Sequence, residues 1–304
     1  MILEKTQHIT TYYVIHDLLV VGKGYSLSAL CQLGQISRSA YYKWLNHEDS
    51  PNDQLNKELA ERIEKIHDKH PDMGYRRTRD SLEHDDKISV NDKRILRICR
   101  RKKIRSNLKY RNNGCTSPAA DPAYTAENIL NREFHADNFN EKWVTDVTEF
   151  KYRTSIDHVH KLYLSAIIDL CDRRPVTYII SDHNDNKLVF DTFDDALATN
   201  PGAHPLFHSD RGYQYTSKVF HQKLVNAGMT QSMSRVARCI DNGPMEGFWG
   251  ILKREMYYGK RFHTREALVK VITEYIDYYT NERPQRKLGV LTPMEYHQKL
   301  LLAA

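Results

Sequence analysis

At 304 residues, 40% hydrophobic and 28% charged, with only 13 Gly and 10 Pro, the chain has the make-up of a folded protein of two or three domains, which excludes a disordered or fibrous one. No apolar run approaches the roughly 18 residues of a membrane span, the start carries no small-residue cleavage signal for export, and the five cysteines, Cys31, Cys99, Cys115, Cys171 and Cys239, lack paired spacing, which suits a reducing cytoplasm and argues against a thiolate zinc site. The net charge of +6 lies entirely at the front: residues 1–113 hold 22 Lys+Arg against 15 Asp+Glu, residues 114–304 hold 23 against 24.

The first segment, residues 1–51, contains YSLSALCQLGQISRSAYYKWL. A helix over Leu27–Leu33, a turn at Gly34 and a second helix capped by Ser37 form a helix-turn-helix pattern that exposes Arg38, Ser39, Tyr42 and Lys43. Glycine-turned helix pairs also occur in all-α proteins that never meet DNA, so both readings stand. The second segment, residues 52–111, has an amphipathic helix (ELAERIEKIHDKH) stopped by Pro71. A short basic helix with Arg76 and Arg77 (GYRRTRDSLEH) follows, then a helix capped by Asn91 (VNDKRILRICRRKKI). From Lys93 onward Arg94, Arg97, Arg100, Arg101, Lys102, Lys103, Arg105, Lys109 and Arg111 follow with no acid among them. Such runs commonly form a solvated face; the helical spacing of Ile95, Leu96, Ile98 and Cys99 beneath this one favours a nucleic-acid surface. Residues 112–130 are expected to be a linker, rich in Pro, Gly, Asn and Ser at their start.

Residues 131–260 change character. KWVTDVTEFKY, HKLYLSAIIDL and RPVTYIIS read as three successive strands, with turns at Asp157 and at Arg174-Pro175. A helix (NKLVFDTFDDALATN), a short strand (HPLFHSD), a second helix (TSKVFHQKLVNAGM) and a last strand (TQSMS) come next. This order predicts an α/β fold, a mixed sheet covered by helices on both sides. The stretch GPMEGFWGILKREM then opens a helix at an Asn242 or Gly243 cap, with Pro244 in its first turn. Residues 261–304 are a long helix and a basic, proline-broken tail.

Three acids stand out. Asp146 interrupts an apolar strand, where burying a lone carboxylate is costly; Asp210 ends the fourth strand; Glu246 sits in the first turn of the later helix. Each has an ordinary explanation, as a satisfied strand residue, a turn residue and a helix-dipole or capping-box acid. Strand interior, strand end and helix start can also meet at one sheet edge, and such an acid set suits Mg²⁺, which takes oxygen ligands and substrate phosphate. Two such ions, typically about 3.5–4 Å apart, serve in-line displacement at phosphorus. His208, Arg211, Arg235, Arg238, Asn242, Lys253 and Arg254 lie near in sequence and suit a polyanion; His208 reads equally as a core imidazole. Asp169, Asp241, Asp194 and Asp195 are read as structural or solvated acids.

TDVTEF, HSDRGYQYTS and SRVARCIDNGPMEGFWGILKREM resemble the signature blocks of the DDE transposases of bacterial insertion sequences, in the IS-three family related to retroviral integrases. Thirty-five residues intervene between Asp210 and Glu246, as in that family, and Lys253 matches its basic residue seven positions after the glutamate. YYTNERPQRKLGVLTPMEY resembles the end of its catalytic region, and GYRR with VNDKRILRICRRKKIR resembles its helix-turn-helix-like domain. The resemblance implies an RNase H-like catalytic domain (the integrase catalytic core) behind all-α DNA-binding domains, with Asp146, Asp210 and Glu246 as catalytic triad and ligands of two Mg²⁺ ions, replaceable by Mn²⁺. It implies metal-dependent cleavage and transfer of double-stranded DNA at terminal inverted repeats into target DNA, by a homo-oligomer in the bacterial cytoplasm at the nucleoid. An upstream helix-turn-helix product fused by frameshifting is a further expected partner. An RNase H-like nuclease or resolvase that cuts without joining, and an inert DNA-binding regulator, are the alternatives. Gly247 and Gly250 depart from a firm catalytic helix, each costing about 0.5–1 kcal/mol relative to Ala; close approach of DNA would account for them.

Overall fold

Alternation of apolar residues along KWVTDVTEFKYR produces the central strand β1 (Lys142–Arg153) of a five-stranded sheet, with β2 (Val159–Asp169), β3 (Pro175–Ser181), β4 (Leu206–Ser209) and β5 (Thr230–Met233) in the order β3-β2-β1-β4-β5. The computed structural model describes residues 2–22, 24–108, 124–155, 158–236 and 238–303, the side chains of residues 2–9 and 239 excepted. The start of the expected linker, the turn at Asp157, and Lys109, Arg111 and Cys115 lie outside the described residues. Two compact units divide the chain, residues 1–61 and 62–304.

In the first unit α1 (Ile2–Val20), α2 (Leu27–Leu33) and α3 (Arg38–Leu45) bury Ile15, Leu30, Cys31 and Tyr41 together. Ser26 and Ser37 cap α2 and α3 by accepting the Ala29 and Ala40 amides. Gly34 is required in the turn, because a Cβ there would lie 2.7 Å from the Thr11 methyl. A fourth helix, α4 (Pro51–Lys69), runs through the division between the units.

The second unit begins with α5 (Tyr75–His84) and α6 (Asp92–Arg101). The Asn91 side chain caps α6 by accepting the Lys93 amide at 2.7 Å. Ile95, Ile98 and Cys99 turn inward, while Lys93, Arg97, Arg100, Arg101, Lys102, Lys103 and Arg105 are exposed.

In the sheet, β1–β2 and β2–β3 are antiparallel, β1–β4 and β4–β5 parallel. Alternate residues of β1 point into two cores. Val144 and Phe150 enter one with Phe248, Leu252, Leu268 and Ile272, from α9 (Gly243–Leu252) and α10 (Arg265–Asn281). Trp143 enters the other with Val189, Phe193, Phe220 and Leu224, from α7 (Asn186–Thr199) and α8 (Lys218–Asn226). Helices therefore cover both faces. After α9 the chain makes one π-helical turn, Lys253–Tyr257. In the tail, Pro284 lies in the break after α10, and the chain closes in α11 (Pro293–Leu301). Thr292 accepts the Glu295 amide while the Glu295 carboxylate accepts the Thr292 amide, so Pro293 starts this helix and breaks nothing.

Candidate active site

Strand register gathers the acids. Val144 of β1 pairs in parallel with His208 of β4, so Asp146 and Asp210, each two residues farther along its own chain, arrive side by side, Asp146 inside β1 and Asp210 just past the carboxyl end of β4. Strands in a sheet lie about 4.8 Å apart. Both aspartates are half-buried and Glu246 is exposed. Asp146 Oδ2 accepts from the Trp249 indole at 3.0 Å, and Asp210 Oδ1 accepts from the Gly212 amide at 2.8 Å. Burial, then the charge of Asp210 and to a lesser degree that of Glu246, push the Asp146 carboxyl far above the usual range. Burial raises Asp210 too.

Glu246 is placed by the start of α9. Asn242 takes the N-cap position, yet its side chain caps nothing: Nδ2 donates to the Thr145 carbonyl at 3.0 Å, tying the helix start to the strand residue preceding Asp146. The residue before it, Asp241, is fully buried and locks the incoming loop. Arg235 grips it through Nε (2.8 Å) and Nη2 (2.9 Å), Arg132 Nε lies 2.7 Å away and Asn128 Nδ2 3.0 Å away. These bonds, Arg235 first, hold its carboxyl well below the ordinary carboxylate range. Lys253 stands over the Phe150 ring at 5.1 Å. Burial lowers its pKa, while Asp146 and Glu149 draw it back up.

Among the other candidates, Arg38, Tyr42, Lys43, Arg76 and Arg238 are exposed, and Arg254 is half-buried beside Gly250. Arg211 Nε donates to the Ser234 carbonyl at 2.8 Å. Lys102 pairs with Glu64 at 3.0 Å, and Arg94 is half-buried. Three expectations of DNA contact fail. His208 has no exposed surface and spends both ring nitrogens on Ser232 Oγ (2.9 Å) and Ser234 Oγ (3.2 Å); burial lowers its pKa to about 4, so it is a neutral core imidazole. Asn242 is buried at the strand contact described above. Arg77 turns inward to Asp72 (2.7 Å), Glu255 (3.0 Å) and the Tyr278 hydroxyl (3.0 Å). Trp249 and Glu255 were not singled out in the sequence. A Trp in an apolar run reads as packing, although a buried indole N–H needs an acceptor, which was the available signal.

Among the described residues, no three His, Cys, Asp or Glu groups stand together as one ready-made metal-ligand set. The donor chemistry where β1 and β4 meet is nonetheless that of a hard cation: carboxylate oxygens, no thiolate, and two aspartates that burial drives toward the protonated form, Asp146 further so by the charge of Asp210.

Three regions match known families: residues 136–239 and 246–301 match two families each described as "Integrase core domain", and residues 54–112 match an "HTH-like domain". The putative transposase InsK of insertion sequence element IS150 from Escherichia coli is 36% identical over 277 residues, covering 90% of this chain and 94% of that protein. The chain belongs to the insertion-sequence transposase family. An uncharacterized transposase-like protein of Haemophilus influenzae is 40% identical over 70% of this family member and 96% of its own length. The transposase InsF of insertion sequence IS3A from E. coli is 27% identical over 91% and 96%. The RNase H-like, integrase-core architecture and the helix-turn-helix-like front expected from the sequence are those of the family. No described helix is long and apolar enough to cross a membrane.

The shared burial of the two aspartates has a pH signature. A carboxyl whose folded pKa exceeds that of the unfolded chain, about 3.9 for Asp, binds its proton more tightly when folded, so stability falls as pH rises through that window. His208, kept neutral, acts oppositely, but only below its ordinary value of 6.5. Between pH 6.5 and 8 the metal-free protein should therefore lose on the order of 1 kcal/mol, and Asp210→Asn should flatten that slope in calorimetry. Identical slopes in the two proteins would refute the shared burial.

Gly247 offers a second test. It is exposed, and a Cβ there meets nothing within 4 Å. Gly247→Ala should stabilise the fold by about 0.5–1 kcal/mol and, if DNA passes this close to the helix, slow strand joining; a stabilised variant with unaltered joining refutes the close approach.

Proposed function

We propose that the chain carries out divalent-cation-dependent cleavage and transfer of DNA strands at the terminal inverted repeats of an insertion sequence, with Asp146, Asp210 and Glu246 as the catalytic acids. The observation that carries this reading is the parallel β1–β4 register, which sets two carboxylates side by side while a third perturbs the first electrostatically. Two Mg²⁺ ions, or Mn²⁺ in their place, would be held by these acids in pairs, with water and phosphate oxygens filling the remaining positions. When bound, such ions activate an attacking oxygen and stabilise the leaving one.

The chain's own groups do the rest. Trp249 fixes the Asp146 carboxylate by its indole hydrogen bond, and the Asn242 and Asp241 contacts keep the start of α9 against β1, which determines where Glu246 stands. Lys253, close enough to Asp146 to feel its charge, is the cation placed to meet a phosphate. Arg97, Arg100 and Arg101, on the exposed face of α6, supply a phosphate-tracking surface outside the site. Two DNA ends must be held at once for joining, so a homo-oligomer assembled on DNA, in the bacterial cytoplasm, is part of the proposal.

The test is a strand-transfer assay with precut ends. Joining to target DNA in Mg²⁺ or Mn²⁺, and none in EDTA, is the expected result. Cleavage of intact ends without any joining would assign a nuclease instead, and equal DNA binding with neither reaction would leave only a DNA-binding protein. Mg²⁺ should also raise the melting temperature more at pH 8 than at pH 6, since the cation replaces the protons that the aspartates otherwise retain.

A further inference from the structure

Beyond the carboxylates, the two elements that carry them continue into a second feature. Five residues past Asp146, β1 ends at Lys151, Tyr152 and Arg153; four residues past Lys253, the π turn leads into Tyr257–His263. Between them lies a cleft of about 880 Å³. Its construction is specific. The Tyr257 hydroxyl accepts the Lys151 amide and donates to the Lys151 carbonyl, 2.9 Å each, which pins the ring. The Phe262 ring lies parallel to it, 5.8 Å away with 3° between planes. The Arg153 amide donates to the Phe262 carbonyl at 2.9 Å, joining the far wall to the strand end. Gly259 sits at φ 85°, a left-handed turn that brings Lys260 and Arg261 back to the cleft.

No acid occurs among the described residues that line this cleft, whereas Lys151, Arg153, Lys260 and Arg261 all do, exposed. Fixed rings with surrounding cations match a ligand that combines flat heterocycles with phosphates. In a duplex the base faces are already stacked, so only an unpaired nucleotide can use such rings. We propose that this cleft holds unpaired nucleotides of the DNA whose end lies at the carboxylates, stacking bases on the Tyr257–Phe262 wall while the four cations meet the backbone. The site is connected to the acids through Phe150, whose ring contacts Tyr257 edge-on at 5.1 Å and lies beneath Lys253. The inference rests on the DNA strand-transfer reading and adds to it where a separated strand goes.

The experiment uses the full chain in EDTA at fixed salt, with a blunt duplex and the same duplex bearing a short unpaired tail that contains 2-aminopurine. The tailed duplex should bind about tenfold more tightly, the scale of one stacked base, with its fluorescence quenched. Phe262→Leu and the Lys260→Glu, Arg261→Glu pair should each reduce that preference several-fold, and iodouracil placed in the tail should crosslink within residues 257–263. Equal binding of the two duplexes, a preference that both variants retain, or a crosslink that maps elsewhere would overturn the cleft. Joining of precut ends without any tail preference would sink this inference alone; tail preference without joining would sink the catalytic reading and leave the cleft standing.

Discussion

Asp210→Asn is expected to abolish strand cleavage and joining, by roughly 10³-fold or more, while leaving binding of duplex DNA unchanged. Removing one carboxylate from a cation site forfeits several kcal/mol of charge stabilisation in the transition state, and each 1.36 kcal/mol is a factor of ten in rate. The same substitution removes a charge that burial disfavours and that raises the Asp146 pKa, so the metal-free variant should unfold at higher denaturant than the wild type. Activity lost with stability gained is the signature of acids kept together for a cation, since an aspartate serving as a turn residue would lose stability and spare activity. Asp146→Asn and Glu246→Gln should lose activity likewise; Asp146→Asn also tests the Trp249 hydrogen bond, because an amide still accepts from the indole. Normal joining by Asp210→Asn in Mg²⁺ would end the assignment.

The second large effect concerns Glu255, an acid that holds other side chains in place. Its carboxylate, 6% exposed, receives Arg77 Nη1 (3.0 Å), Arg283 Nη2 (2.8 Å) and Nε (3.1 Å), and the Tyr275 hydroxyl (2.8 Å). Arg77 belongs to α5 of the HTH-like region, Arg283 follows α10, and Glu255 lies in the π turn that begins at Lys253. Two further links run parallel to it: Arg286 grips Asp80 and Asp92 (2.7 Å each), and His84 Nε2 meets Glu295 at 2.7 Å. Glu255→Ala leaves Arg283 largely buried without its anion and Arg77 with Asp72 alone, so about 3–5 kcal/mol of stability should be lost, a fall on the order of 10 °C in Tm for a unit of this size. Arg286→Ala should cost less, because Arg286 is itself exposed, Asp92 lies at the surface, and the buried Asp80 keeps Arg79 at 3.2 Å. Denaturant unfolding of the two variants measures this ordering, and a Glu255→Ala loss under 1 kcal/mol would show that the network does not hold the helical region to the catalytic one.

Much of the architecture was legible because it rests on local rules. Period-two alternation marked β1, β2 and β3; Ser37 and Asn91 announced helix starts they do cap; Pro244 sat where a helix begins. Where local rules misled, a more distant partner was responsible. Asn242 reads as a cap until Thr145, nearly a hundred residues away, claims its side chain. The basic residues show the same division. Arg77 and Arg97 look alike in a charge run, but one is buried against Glu255 and the other lies exposed on α6, and only the folded chain distinguishes a charge that holds the protein together from one left for a polyanion.

By itself the sequence determined the family, the order of strands and helices, and which three acids to consider, because residue type, period and spacing are properties of the chain alone. Tertiary structure decided the rest: that Asp146 and Asp210 become neighbours through parallel pairing of Val144 with His208, that His208 is interior and neutral, and that aromatic rings and cations from β1 and the turn after α9 enclose one cleft. The reason is that proximity between remote residues arises from strand register and helix packing, and the electrostatic character of a group follows from its burial and its neighbours.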